Sequence, residues 1–270
     1  MTRKWAYFPW WGAIGGTLVV GLLMALADVA FPEGGVVWNA LHTESETLVY
    51  FCEPAEIGAL FRQKIDTYSN LAFLFYGLLM LGYSRLDRGI REGGFAVLHP
   101  QWSRWFGLAM VATFLGSTFF HASLTRSGEA VDLAGTYATA LLPGFFNLHR
   151  LVSFFRRRWL PVWPFALAWA VVWLAVSLLI FRLSSRVVVP GGLLLVGISG
   201  FIMWLRVHPR SGWWWAAGSL LLSVVAATCF VMDIQKVGCE PGSWIQAHGF
   251  WHLFSASAAA SYYAFMRRIR

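Results

Sequence analysis

The stretch Trp244-Ile-Gln-Ala-His248-Gly-Phe-Trp-His252-Leu-Phe-Ser255 places two histidines four residues apart in an otherwise apolar segment. Residues four apart lie one above the other on the same face of an α-helix, so the two imidazoles can reach a single point. Ionisable side chains are costly in hydrocarbon and are usually functional there. The spacing therefore predicts a helix that presents two metal ligands, whereas a lone histidine at a helix end is more often an ordinary interfacial side chain.

The composition of the whole chain indicates a membrane protein. Hydrophobic residues make up 58% of the 270 residues and charged residues 13%, against about 25% charged residues in soluble globular domains. A membrane-spanning helix needs about 20 mainly apolar residues. The chain offers eight such runs, which predict an all-α, polytopic transmembrane helix bundle. The approximate spans are 9–31, 67–84, 104–122, 130–148, 160–181, 187–205, 212–234 and 244–266.

These runs divide the chain into three segments. Residues 1–31 form a basic start and a first apolar run, which ends in Met24-Ala-Leu-Ala27 before Asp28. Such an ending is compatible with an additional transmembrane helix or with a cleaved signal peptide. Residues 32–66 are polar and acidic, and they predict an external loop with a short surface helix. Residues 67–270 hold the other seven spans, the predicted membrane core.

The basic residues are unevenly distributed along the chain. If the amino terminus is cytoplasmic and the spans alternate, most of the 21 Lys and Arg residues fall on the cytoplasmic side, in agreement with the positive-inside rule. Both termini are then expected in the cytoplasm. Because short basic turns account for the net charge of +8, the charge does not indicate a nucleic-acid partner.

The same topology brings further polar residues to the depth of His248 and His252. His121 ends the third span and Asp132 begins the fourth, both on the external side. Ser117 stands four residues before His121, on the same helix face. Three imidazoles leave one position of a tetrahedral zinc open, as in catalytic sites. We therefore expect a hydrolytic zinc site near the external leaflet, with Asp132 as general base and Ser117 as oxyanion donor.

Several of these residues also have a structural interpretation. Asp132 could simply favour the positive end of a helix dipole, and serines such as Ser117 pack routinely between membrane helices. Cys52 and Cys239 both fall in external loops, where disulfides persist, so they form either a disulfide or two free thiols. Cys229 lies inside the seventh span and is expected to be a packed thiol.

The polar residues also form a pattern of sequence motifs. The pattern consists of Gly116-Ser-x-x-Phe-His121-Ala-Ser-Leu124, Asp132, His248-x-x-Trp251-His252 and the upstream pairs Cys52-Glu53 and Ser69-Asn70. From about Phe51 to the carboxyl terminus, the chain thereby resembles the alkaline ceramidase family, whose wider superfamily includes adiponectin-type receptors. The resemblance implies a seven-helix core, zinc on the three histidines, Asp132 and Ser117 at the water and the substrate, and a disulfide from Cys52 to the last external loop.

In function, the resemblance implies cleavage of the amide bond of ceramide or a related N-acyl lipid, which enters from the bilayer and releases a fatty acid. The alternative is a receptor or sensor of the adiponectin-receptor kind, in which the zinc is structural. Family members also build a calcium site around the Cys-Glu pair. Here the comparable positions are Tyr50, Glu53, Ala55 and Gln63, and only Glu53 is a good ligand for a hard cation. Calcium dependence is therefore doubtful, and Glu53 is at most the remnant of such a site.

Overall fold

The computed structural model describes residues 8–41, 51–183, 185–207 and 212–269. Within these ranges the protein is all-α, as predicted: it has ten α-helices, one 3-10 helix and no β-strand. The α-helices are α1 (Phe8–Ala30), α2 (Lys64–Ser69), α3 (Leu71–Leu86), α4 (Phe95–Leu98), α5 (Pro100–Ser123), α6 (Arg126–Phe155), α7 (Trp163–Leu178), α8 (Ser185–Val207), α9 (Trp213–Ile234) and α10 (Ala247–Met266); the 3-10 helix is Gly34–Leu41.

Each of the eight predicted spans coincides with one long helix. Among the described residues, α1, α5, α8 and α9 are long and apolar enough to cross a membrane, and α7 is apolar but has only 16 residues. The remaining three helices, α3, α6 and α10, also coincide with predicted spans, but they are not both long enough and apolar enough to satisfy the same criteria. α6 and α10 carry the acidic and histidine side chains that the sequence singled out, and these side chains lower the hydropathy of the two helices.

Close contacts at glycines hold α5 and α6 together. A Cβ atom added to Gly116 would lie 2.5 Å from the Val131 carbonyl oxygen, and one added to Gly135 would lie 2.7 Å from the Thr113 Cα. Small residues at such positions let two helix backbones approach each other closely. The close approach at Gly116 also brings Asp132, near the start of α6, next to Ser117. Elsewhere in the bundle α5 also packs against α3, and α10 packs against α9 and α3.

The two ends of α3 and α10 carry different chemistry. At one end Ser69, just before α3, contacts His252 in the second turn of α10. At the other end Arg267 pairs with Asp87, the residue after α3, and Ile269 accepts a backbone hydrogen bond from Phe95 at 2.6 Å. The histidine-bearing end and the arginine-bearing end therefore lie on opposite sides of the bundle.

A disulfide joins Cys52 to Cys239, with their Cα atoms 5.7 Å apart. It connects the segment before α2 to the loop between α9 and α10. Cys229, in α9, is a partly buried free cysteine. Residues 42–50, which the sequence places in the same external segment as Cys52, lie outside the described residues.

Candidate metal centre

His121, His248 and His252 meet in the interior of the bundle. His121 lies in the last turn of α5, while the other two occupy the first two turns of α10. All three are buried, and one ligand nitrogen of each lies within 4.8 Å of the others. The ring centroids are 4.9 Å apart for His121 and His248, and 4.7 Å apart for His248 and His252. The structure thus brings together the three histidines that the sequence predicted as ligands, in an arrangement that could hold a metal ion.

Hydrogen bonds fix the orientation of two of these imidazoles. The Nδ1 atom of His121 lies 2.8 Å from Oε1 of Gln63, and the Nδ1 atom of His252 lies 2.7 Å from Oγ of Ser69. Nε2 of His121 is buried without a hydrogen-bond partner. Histidine ligands usually make such a bond through the nitrogen that faces away from the metal, because it sets the ring orientation. In both residues Nε2 is therefore the nitrogen available to a ligand.

Asp233 faces His248 at ion-pair distance, although no hydrogen bond joins the two side chains. One carboxylate oxygen of Asp233 lies 3.4 Å from Nδ1 of His248, and the other accepts a hydrogen bond of 3.0 Å from the backbone N–H of Cys52. Next to Cys52, the Phe51 ring stands edge-on to His248 at a centroid distance of 4.5 Å and to His121 at 5.5 Å. The segment held by the disulfide therefore covers one side of the histidine cluster.

The charge balance around the cluster fits a cation. Asp66 and Asp233 are buried, and both carboxylate oxygens of Asp66 lack a hydrogen-bond partner. Among the described side chains, no Lys or Arg forms an ion pair with either residue. Their ion-pair partners are His121 and His248. Without a cation, burial and then the nearby carboxylates of Glu53 and Asp233 raise the pKa of Asp66 well above its ordinary value. A divalent ion on the histidines would offset these buried charges, so the residues present fit a metal ion.

Glu53 has a structural task here. Its carboxylate accepts hydrogen bonds from the backbone N–H groups of Ile65 at 2.8 Å and Asp66 at 2.9 Å, at the start of α2. Burial raises the pKa of Glu53, and these hydrogen bonds counteract the rise. Gln63, which the sequence resemblance also compares with a calcium-site position, forms a hydrogen bond with His121. Among the described His, Cys, Asp and Glu side chains, only the three histidines form a group that could hold a metal ion.

Asp132 and Ser117 stand beside the histidines. The Ser117 side chain lies close to the Asp132 carboxylate, and its hydroxyl oxygen lies 3.5 Å from Nε2 of His252. Ser117 is buried and is close to both the carboxylate and the nearest imidazole. All of the predicted site residues except Glu53 and the two cysteines thus share one location.

A cavity of about 510 Å³ begins at this location and runs between α5, α6, α8, α9 and α10. Its lining includes Asp132, Ser117, His248 and His252 at one end and the aromatic residues Phe106 and Tyr262 at the other. The Tyr262 hydroxyl donates a hydrogen bond of 2.6 Å to Oδ1 of the buried Asn147. Most of the remaining lining is apolar, so the polar group of an occupant is best placed at the histidine end.

Sequence reasoning missed the residues that orient the imidazoles. Asp233 is an acidic residue at the end of an apolar run, and acids in such runs are functional candidates by default, so the sequence held a signal for it. Ser69 belongs to the Ser-Asn pair of the resemblance, although no contact was predicted for it. Gln63 lies in an irregular segment, and Asp66 lies in the short helix α2 that follows it. Neither segment is long enough to show a periodicity that would indicate which way a side chain points.

Comparisons with known protein families, curated proteins and solved structures find no match for this chain. The likeness to alkaline ceramidases therefore rests on the motif residues themselves.

Proposed function

We propose that the protein is an integral membrane, zinc-dependent hydrolase that cleaves the amide bond of ceramide or a related N-acyl lipid and releases a fatty acid. The observation that carries this proposal is the position of the Ser117–Asp132 pair. The pair stands between a buried cluster of three histidines and the end of a mostly apolar cavity. A purely structural metal site needs neither the Ser117–Asp132 pair nor the cavity.

The donor set favours zinc over the common alternatives. Three imidazoles with no carboxylate in the cluster suit a borderline metal, whereas calcium and magnesium take oxygen ligands. Structural zinc sites are closed by four protein ligands, and three ligands leave one position open. When bound in this way, zinc supplies a water molecule of lowered pKa and polarises a carbonyl group.

The protein's own groups then handle the proton. Asp132 is the general base that accepts a proton from the attacking water and passes it to the leaving amine. Ser117 stands beside the carboxylate, to which its hydroxyl can donate a hydrogen bond. A hydroxyl has one proton to donate, so Ser117 can donate to the developing oxyanion once Asp132 has become protonated and no longer needs that bond.

The cavity suits the acyl part of the substrate. Its apolar walls suit a hydrocarbon chain, and a scissile carbonyl at its polar end would lie beside His252 and Ser117. The choice of an amide bond follows the ceramidase-like motifs. The lipid enters sideways from the bilayer, since the cavity lies between helices.

We further propose that the chain crosses the membrane several times, with both termini in the cytoplasm and the histidine cluster toward the external leaflet. The disulfide lies at the histidine end of the bundle and requires an oxidising compartment. Arg267 and Asp87 lie at the opposite end, where the positive-inside rule places basic residues.

The variant Asp132→Asn tests the proposal. The amide keeps the shape of the side chain but accepts a proton poorly, so we expect zinc content near that of the wild type and a loss of turnover of about 100-fold or more. The measurement is fatty-acid release from a panel of N-acyl lipids, including ceramides, with zinc content determined in parallel. Glu129→Gln is the matched control, because Glu129 is a carboxylate of α6 that lines the same cavity; it should remain active.

Zinc binding by the wild type without release from any N-acyl lipid would contradict the hydrolase. That result would favour the receptor or sensor alternative, in which the site is structural. Equal turnover by Asp132→Asn and the wild type would contradict the role of Asp132 alone.

A further inference from the structure

The cavity has a closed floor inside the bundle, at the level of Tyr262. Tyr262 lines the cavity and keeps 7% of its surface accessible. One or two helical turns beyond the last lining residue of each surrounding helix, large side chains are fully buried and do not line the cavity: Trp102 in α5, Phe146 in α6, Met203 in α8 and Met266 in α10. The bundle is therefore solid beyond Tyr262, and an occupant cannot extend further along the helix axes.

Hydrogen bonds hold Tyr262 in this position. Its hydroxyl donates to Oδ1 of Asn147 at 2.6 Å. The amide nitrogen of Asn147 in turn donates to Oγ of Ser199 at 2.9 Å and to the Val196 carbonyl oxygen at 3.4 Å. Because these donors are engaged within the protein, the floor suits the terminal methyl group of a hydrocarbon chain better than a polar terminus.

Two facing walls give the same depth for the cavity. On α10, Tyr262 follows His252 by ten residues, and on α6, Pro143 follows Asp132 by eleven residues. All four residues line the cavity. At a rise of about 1.5 Å per residue, these separations correspond to about 15 Å and about 16 Å along the helix axes. The distance from the reacting groups to the floor is therefore about 15 Å.

This depth can be expressed as a number of carbon atoms. Three backbone bonds of an extended polypeptide span about 3.3–3.6 Å, so an extended chain advances about 1.2 Å per bond. A chain whose carbonyl carbon lies at the histidines thus reaches the floor after about 12 further bonds. A longer chain must either fold back on itself or withdraw its carbonyl from the reacting groups.

We propose that the cavity selects substrates with an unbranched acyl chain of about 13 carbons, and that Tyr262 sets this upper limit. The inference rests on the proposed function, because it assumes an acyl chain with its carbonyl at the histidines. Up to the limit, each added methylene is buried and strengthens binding about three- to fourfold. Beyond the limit, an added methylene finds no further apolar wall.

The first experiment measures kcat/KM for a series of saturated N-acyl lipids that differ only in acyl length. For the wild type, we expect kcat/KM to rise with length to about 13 carbons and to fall for longer chains. Ala259 lines the cavity three residues before Tyr262, about 4.5 Å nearer the histidines. Ala259→Leu should therefore shift the optimum to chains about four carbons shorter.

Ala217→Leu is the matched control. It makes the same substitution in α9 at an exposed position that does not line the cavity, so it should keep the optimum of the wild type. A kcat/KM that does not depend on chain length in the wild type, or an optimum that Ala259→Leu leaves unchanged, would overturn the proposal.

A binding measurement separates this inference from the proposed function. The affinities of saturated free fatty acids of graded length are measured by calorimetry on the same purified proteins. The gain per methylene should stop at about 13 carbons in the wild type and at about 9 carbons in Ala259→Leu. These two limits would support the role of the floor even if no N-acyl lipid were cleaved. A gain that continues through longer chains in the wild type, or the same limit in both proteins, would contradict it.

Discussion

Asp233 connects two parts of the chain that meet only in the folded protein. One oxygen of its carboxylate accepts a hydrogen bond from the backbone of Cys52, and the other faces Nδ1 of His248. A carboxylate that faces the outer nitrogen of a metal-ligating imidazole can orient the ring and raise the basicity of the ligand. We therefore expect the affinity for a metal to depend on a residue that is not itself a ligand.

The variant Asp233→Asn should weaken zinc binding about 10- to 100-fold without abolishing it, the usual effect of losing a partner of a ligand. Competition with a chelator of known affinity measures the change. Asp28→Asn serves as the control, because Asp28 pairs with the partly exposed Lys64 and not with the cluster; its affinity should not change. An unchanged affinity in Asp233→Asn would show that His248 is oriented by other contacts.

At the level of single residues, the sequence predicted the groups that helical periodicity and apolar context make visible. His248 and His252 share a face, and Ser117 shares one with His121, because each pair is spaced by four residues. The partners of the imidazoles could not be predicted in this way. Gln63 reaches His121 from an irregular segment, and its orientation is set by tertiary contacts, including the bond from its amide to the Glu53 carbonyl at 2.9 Å.

The packing of α5 against α6 determines the distance between Asp132 and Ser117. At Gly116, even one added methyl group would meet the backbone of α6, and backbone atoms cannot give way as a flexible side chain can. The site thus depends on a contact between two elements that involves no functional side chain.

Gly116→Ala should therefore lower both stability and turnover. We expect a loss of about 1–3 kcal/mol in the free energy of unfolding, as for other overpacked contacts. We also expect turnover to fall more than zinc content, because the substitution displaces Asp132 on α6, whereas the three histidines lie on other helices. Thermal unfolding and fatty-acid release measure the two effects. Gly191→Ala is the matched control, since an added Cβ there has no heavy atom within 4 Å; a similar loss in both variants would contradict the packing argument.

At the level of helices, apolar runs predicted which segments are helical more reliably than where they end. The fourth predicted span, 130–148, corresponds to α6, which runs from Arg126 to Phe155. The polar residues at both ends of α6 interrupt the apolar run but not the helix. Its start is set by Thr125, whose hydroxyl accepts a hydrogen bond of 3.1 Å from the Gly128 N–H, a capping interaction that is independent of hydropathy.

For the molecule as a whole, the disulfide links the loop before α10 to the segment that covers the histidines. Cys52 and Cys239 are 187 positions apart, and cross-links that close long loops remove much conformational entropy from the unfolded chain. The same cross-link holds Phe51 against the imidazoles. Stability and metal binding are therefore expected to respond together.

The double variant Cys52→Ser with Cys239→Ser should unfold at a lower temperature, with a loss of about 2–5 kcal/mol, and should release zinc more readily to a chelator. Cys229→Ser, which removes the partly buried free thiol, is the control and should do neither. Thermal unfolding and chelator competition on the two variants and the wild type are the measurements. If the double variant matched the wild type in both unfolding temperature and zinc retention, the disulfide would not contribute to the stability of the site.

The metal content of the purified protein tests the central claim most directly. Elemental analysis of the wild type should give about one zinc per chain, in keeping with the single group of three histidines among the described residues, and the double variant His248→Ala with His252→Ala should retain none. His149→Ala is the control, because His149 bonds Trp102 and Leu160 outside the cluster. A wild type without metal, or a double variant with full occupancy, would contradict the account.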